Sequence, residues 1–189
     1  MAQQHLPPHD IETEVSCLAS VIISRDALMK VMGILHSEDF YLEPHRVIYD
    51  AVRELDRKNK PVDLISLRVQ LMEMEMLEKA GGEAALARLY QSVATSANAE
   101  YYAQRVKELS LRRRLIETST RVIENCYDIT RDTAELMDEA EKSVFQVTEN
   151  RITSQVATIQ EIVEDAVKRI ERLMENKKGV TGIASGYTV

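Results

Sequence analysis

His36, Glu38 and Asp39 stand within four residues of one another and are side-chain types that hold metal ions. Nothing in the sequence brings a further ligand to them, and His5, His9 and His45 keep neither HExxH nor Cys/His spacing. The group reads instead as a solvated helix N-terminus. The six glycines, at 33, 81, 82, 179, 182 and 186, include none followed by the Lys-Ser/Thr pair of a phosphate loop. No nucleophile elbow or Ser/His/Asp arrangement is present either. The expectation is a chain with no catalysis, cofactor or metal of its own.

Arg112-Arg113-Arg114 is a basic cluster that invites a nucleic-acid reading. Glu108 and Glu117 flank it at spacings suited to ion pairs along a helix, so a solvated face with intersubunit pairs is the reading favoured here. Contact with DNA stays open as the alternative. Cys17 and Cys126 form no CxxC pair and read as reduced thiols packed in a core, in a cytoplasmic protein. No apolar run approaches the length of a membrane span.

The elements that must carry these residues are helical. The sequence is 44% hydrophobic but only 5% aromatic, with 8 Met and no Trp, so its core must be built from aliphatic residues and Met, which pack well between helices. Few Gly and Pro argue against an all-β design. A net charge of −7 is distributed as 10 basic against 15 acidic residues over 1–95, 8 against 11 over 96–150, and 6 against 5 over 151–189. No segment carries the excess cation that general phosphate binding requires.

Asp10 caps an expected helix to Ile23 with Val15, Leu18, Ala19 and Ile22 on one face. Ser24 caps a second, striped by Leu28, Val31, Met32 and Leu35, and a third runs from Pro44 to Lys58. Asp63 opens a fourth, which Gly81-Gly82 is expected to stop, and a fifth spans Glu83 to Val93. Residues 1–95 thus make a globular helical head. From Asn98 to Ile129 one long helix carries Tyr102, Val106, Leu109, Ile116, Ile123 and Tyr127. Asp132 to Glu135 is a capping-box start for a second helix, with Leu136, Met137, Ala140, Val144 and Val147 on its inner face. The two form an antiparallel hairpin over 96–150.

After a linker, Thr158-Ile159-Gln160-Glu161 opens a helix to Lys178. Ile159, Ile162, Val163, Ala166, Ile170, Leu173 and Met174 line one side of it with no partner visible in the chain. The fold class is all-α: a compact bundle, a long antiparallel hairpin and a separate linker helix over 151–178.

Leu6-Pro7-Pro8-His9-Asp10-Ile11-Glu12-Thr13-Glu14 resembles the opening of the N-terminal domain of the bacterial replicative DNA helicases of the DnaB family. Glu38-Asp39-Phe40-Tyr41, Pro44-His45-Arg46-Val47-Ile48, Pro61-Val62-Asp63-Leu64-Ile65 and Gly81-Gly82 follow in the family's order. Ser96-Ala97-Asn98-Ala99-Glu100-Tyr101-Tyr102-Ala103 and Val106 resemble the entry to its hairpin, and Gly179-Val180-Thr181-Gly182-Ile183 with Gly186-Tyr187 resembles the start of its RecA-like motor. Glu83-Ala84-Ala85 departs from the usual apolar residue and Tyr, and Ala184-Ser185 from the common Pro-Thr.

The resemblance implies a piece of a hexameric, ATP-dependent helicase whose motor, with its ATP and Mg, lies beyond Val189. Residues 179–189 would begin that motor, and DNA would be held mainly there. Head and hairpin would form homo-oligomeric contacts in a collar, from dimer up to hexamer. The collar would also recruit the primase C-terminal domain, with Ile116, Val122, Ile123 and Tyr127 as candidate primase-binding or hairpin-interface residues. The linker-helix face would dock on the motor domain of a neighbouring subunit. Two rivals remain at this level: a free-standing helical adaptor or helicase-loading regulator without a motor, and the helicase-binding domain of a primase. A reading frame that continues past Val189 into a phosphate loop separates the first from the favoured reading.

Overall fold

The computed structural model describes residues 6–92 and 98–152, with side chains through Thr148. Among them are seven α-helices and one 3-10 turn, and no strand. The expected linker helix, its docking face and the residues resembling a motor start lie outside the described residues.

Helix α1 (Ile11–Ile23) starts where expected, because the Asp10 side chain accepts a hydrogen bond from Thr13 N. Its six consecutive residues Cys17 to Ile22 are buried, more than a one-sided stripe can account for. It packs against most of the other elements and forms the centre of the head. Ser24, in extended conformation, ends α1 and caps α2 (Arg25–Ile34) through its own side chain. A 3-10 turn, Ser37–Asp39, leads into α3 (Glu43–Arg57), which buries Val47, Ile48, Tyr49, Ala51, Val52 and Leu55.

Asp63 accepts from Ser66 N and starts α4 (Leu64–Glu73). The expected stop at Gly81-Gly82 is corrected: α4 ends at Glu73, and Glu75 at φ 57 turns the chain away. Both glycines do adopt positive φ, but Gly81 instead caps the start of α5 (Gly82–Gln91). The turn from Met74 to Gly81 buries Ala80 and seats Met74, Met76 and Leu77 on the core, which is why the helix is not simply prolonged to the glycines.

Helix α6 (Ala99–Cys126) has 28 residues, about 42 Å of helix at 1.5 Å per residue. Its first three turns belong to the head: Ala99, Ala103, Val106 and Leu109 are buried at the spacing of one helix face, against α1 and α2. Asp132 accepts from Ala134 N and Glu135 N and opens α7 (Thr133–Ile152), which returns along α6. Leu136, Ala140 and Val147 are half-buried there, whereas Met137 and Val144, expected to face inward, are exposed. The half-buried face of α7 runs through Leu136, Ala140, Ser143 and Val147, one step round the helix from the expected stripe. Cys17 is fully buried, and its thiol is pushed up to about 12 by burial and by the nearby Glu14 carboxylate. Cys126 corrects the expectation of a core thiol, since it ends α6 on the hairpin and is exposed.

Candidate interaction site at the hairpin

Beside the apolar packing of α6, the head also holds the hairpin through charge. Asp39 ends the 3-10 turn with no exposed surface. One carboxylate oxygen accepts from His36 N at 2.9 Å and from Lys107 Nζ at 2.9 Å. The other accepts from Ser110 Oγ at 2.7 Å and from Arg114 at 3.2 Å. Burial alone pushes this carboxyl up, but the His36 amide, Lys107 and Ser110 outweigh it and hold it below the ordinary carboxylate range. The reading of the group as a solvated helix start holds for His36 and Glu38, which are exposed at the start of the 3-10 turn, and is corrected for Asp39, which is buried. Asp39 faces an ammonium and a guanidinium, which fill both its oxygens and repel a metal cation.

The arginine cluster is corrected too. Arg113 donates to the Pro8 carbonyl at 2.9 Å and to the Asp39 carbonyl, and its guanidinium lies 5.6 Å from the centre of the Tyr41 ring. Tyr41 stacks in turn on His9, with ring centres 4.4 Å apart. Arg114 pairs with Asp39 and, at 3.7 Å, with Glu38. Glu108 pairs with Arg105. Two of the three arginines are thus spent inside the chain, which removes most of the cluster's capacity for phosphate. Arg112 is exposed.

A second buried carboxylate completes the arrangement. Glu14 of α1 accepts from Tyr41 N at 2.5 Å and from Leu42 N at 3.4 Å, amides at the start of α3. His45 Nδ1 lies 2.6 Å from Glu14 Oε2. Leu42 has no side chain to cap α3, so Glu14 does it from another helix. Arg46 Nε donates to the Phe40 carbonyl at 2.7 Å, and the Tyr49 hydroxyl donates to the Leu35 carbonyl at 3.1 Å. No buried side-chain polar atom among the described residues lacks a partner.

Beyond this joint the hairpin leaves several large apolar side chains exposed among its charged ones. Ile116 is 52% exposed, Ile123 56% and Tyr127 83%, while Val122 is half-buried. Ile129, Met137 and Phe145 are also exposed. Ile116 and Ile123 are two helical turns apart on α6, so they share a face, and Tyr127 continues it. Among the described residues no group of His, Cys, Asp and Glu is arranged to hold a metal. No described helix is long and apolar enough to cross a membrane.

A family model described as the DnaB-like helicase N-terminal domain matches residues 6–108. The chain belongs to that family. It is 35% identical over 188 residues to the replicative DNA helicase DnaC of Bacillus subtilis, covering all of this chain and 41% of that protein. It is 34% identical over 185 residues to the replicative DNA helicase DnaB of Geobacillus stearothermophilus, covering 98% of this chain and again 41% of the relative. The chain therefore spans about two fifths of these relatives. A crystal structure of the N-terminal domain of DnaB helicase from Mycobacterium tuberculosis shares 36% identity and superimposes with a TM-score of 0.71, covering 75% of this chain and 99% of that one. The all-α fold is that of DnaB N-terminal domains. The match to the family model ends within the joint, so the exposed apolar part of the hairpin lies beyond it.

Proposed function

We propose that this chain is the collar of a replicative DNA helicase, and that its hairpin is an arm on which sister copies assemble and the primase C-terminal domain is recruited. The carrying observation is the exposed apolar face of Ile116, Ile123 and Tyr127, on a helix pair too thin to cover both of its own sides. A DnaB-like replicative helicase of the same fold, with a TM-score of 0.63, is described together with its interactions with primase. So is the N-terminal domain of the Helicobacter pylori helicase, with a TM-score of 0.55. The reading extends to an ATP- and Mg-dependent motor that would follow the collar and hold DNA; what supports a longer protein is that the chain spans 41% of relatives named replicative DNA helicases. The face from Ile159 to Met174 would join the two by docking on a neighbouring subunit's motor.

Titration calorimetry of this chain with the cognate primase C-terminal domain tests the recruiting role. Heat at micromolar concentration is expected, and none at high concentration would remove it. Light scattering tests assembly, where dimers or larger species are expected and a strict monomer would remove self-association from the reading.

A further inference from the structure

The last contacts of the head with the hairpin's long helix are ionic. Apolar packing along α6 runs through Ala99, Ala103, Val106 and Leu109. Lys107, Ser110 and Arg114 then follow at i, i+3 and i+7, a single face, and all three donate to the one Asp39 carboxylate. Beyond Arg114 the buried residue of α6 is Thr118. Apolar contact is non-directional and lets a helix slide or roll. Charge-assisted hydrogen bonds are directional and short-ranged, so three of them from successive turns to one fixed carboxylate set both the height and the rotation of a helix.

The acceptor is itself held. The His36 amide binds Asp39 within its own turn, and Arg113 bonds the Asp39 carbonyl while it also grips Pro8 and faces Tyr41. The turn, the segment before α1 that carries Pro8 (an N-terminal strap) and α6 therefore meet at one point. We propose that Asp39 is a positioning residue: its joint with Lys107, Ser110 and Arg114 fixes the direction in which the hairpin leaves the head. It deepens, and rests on, the reading of the hairpin as a recruiting arm, because it would set the angle at which a bound partner is presented to the head.

The exposed Cys126 near the hairpin's turn and a cysteine introduced at Met29, which is 58% exposed on α2, are suitable spin-label sites; Cys17 is fully buried. Double electron–electron resonance on the labelled full chain, diluted with unlabelled chain, reads the distance from head to arm. A narrow distribution is expected for the parent. Asp39→Asn should at least double its width, and Ser110→Ala, which strands no buried charge, should broaden it to a lesser degree. Leu109→Ala, which weakens packing but spares the joint, should lower the melting temperature and leave the width unchanged.

Circular dichroism establishes which variants fold, and Ser110→Ala carries the test if Asp39→Asn does not. Parental widths in the folded joint variants, or equal broadening in Leu109→Ala, would overturn the proposal. The distance measurement needs no partner. Calorimetry without heat alongside a broadened Asp39→Asn would thus remove the recruiting role and leave the joint standing.

Discussion

Glu14 Oε2 and His45 Nδ1 lie 2.6 Å apart with both side chains buried, joining the central helix α1 to the start of α3. The same carboxylate supplies the cap that α3 lacks, so its removal strands the Tyr41 and Leu42 amides as well as the imidazole. Leaving several buried hydrogen-bonding groups without a partner costs about 3–5 kcal/mol together, at about 1–3 kcal/mol for each group. Glu14→Ala should lose about that much in urea unfolding at neutral pH and fixed protein concentration. A loss below about 1 kcal/mol, the scale of an ordinary surface change, would show that the pair is not structural.

Asp39 makes stability depend on acid. Its carboxyl titrates below its ordinary value of 3.8 in the folded chain, so the folded state binds its proton less readily than the unfolded state. The stabilisation is complete above 3.8 and drains away as the pH falls through the lower, folded value. Melting temperature should drop steeply below about pH 4 in the parent. Asp39→Asn should be less stable at pH 7 and should lack this part of the drop. Parallel curves for the two proteins would contradict the assignment.

The arginine cluster should divide by position. Arg113→Ala removes donors to two carbonyls and a ring contact, and should cost about 2 kcal/mol. Arg112→Ala, at an exposed site, should stay within about 0.5 kcal/mol of the parent. Replacing all three should leave affinity for single-stranded DNA unchanged in a fluorescence-anisotropy titration. A large loss would restore the nucleic-acid reading.

Local grammar was legible in the sequence, and long-range grammar was not. Asp10, Ser24 and Asp63 each bond an amide three residues ahead, so their type and position sufficed to place three helix starts. Asp39 instead meets partners 68 to 75 residues away, and the run of three arginines looked solvated because its acceptors, a turn and a strap, are remote in sequence. One signal was available. Glu14 precedes Leu18 by four residues and Ile22 by eight, which puts a carboxylate on the buried stripe of α1. A charge on such a stripe calls for a buried partner. The outward turn of Met137 and Val144 had no comparable sign, because the half-buried face of α7 includes Ser143, a polar residue.

The hairpin should separate binding from stability. Ile123 and Tyr127 are largely exposed, so Ile123→Ala and Tyr127→Ala should leave unfolding within about 0.5 kcal/mol of the parent. If they are anchors for primase, each should weaken its binding about tenfold, or about 1.4 kcal/mol. Calorimetry with the parent as reference decides it. Unchanged affinity in the double variant would move the contact elsewhere on the collar.

Gly81 and Gly82 should tolerate a methyl group unequally. Gly81 sits at φ +90, and a Cβ there would come within 2.8 Å of the Ala85 Cβ. Gly82 sits at φ +68 with nothing within 4 Å of an added Cβ. Left-handed conformation costs an L-residue about 1–2 kcal/mol, so both substitutions destabilise. Gly81→Ala adds a clash with a side chain that has no rotamer to turn away, on the first turn of α5, and relief requires the helix start itself to move. Gly82→Ala should therefore cost about 1 kcal/mol and Gly81→Ala about 2 kcal/mol or more in urea unfolding. The reverse order would mean that α5 does not start on Gly81.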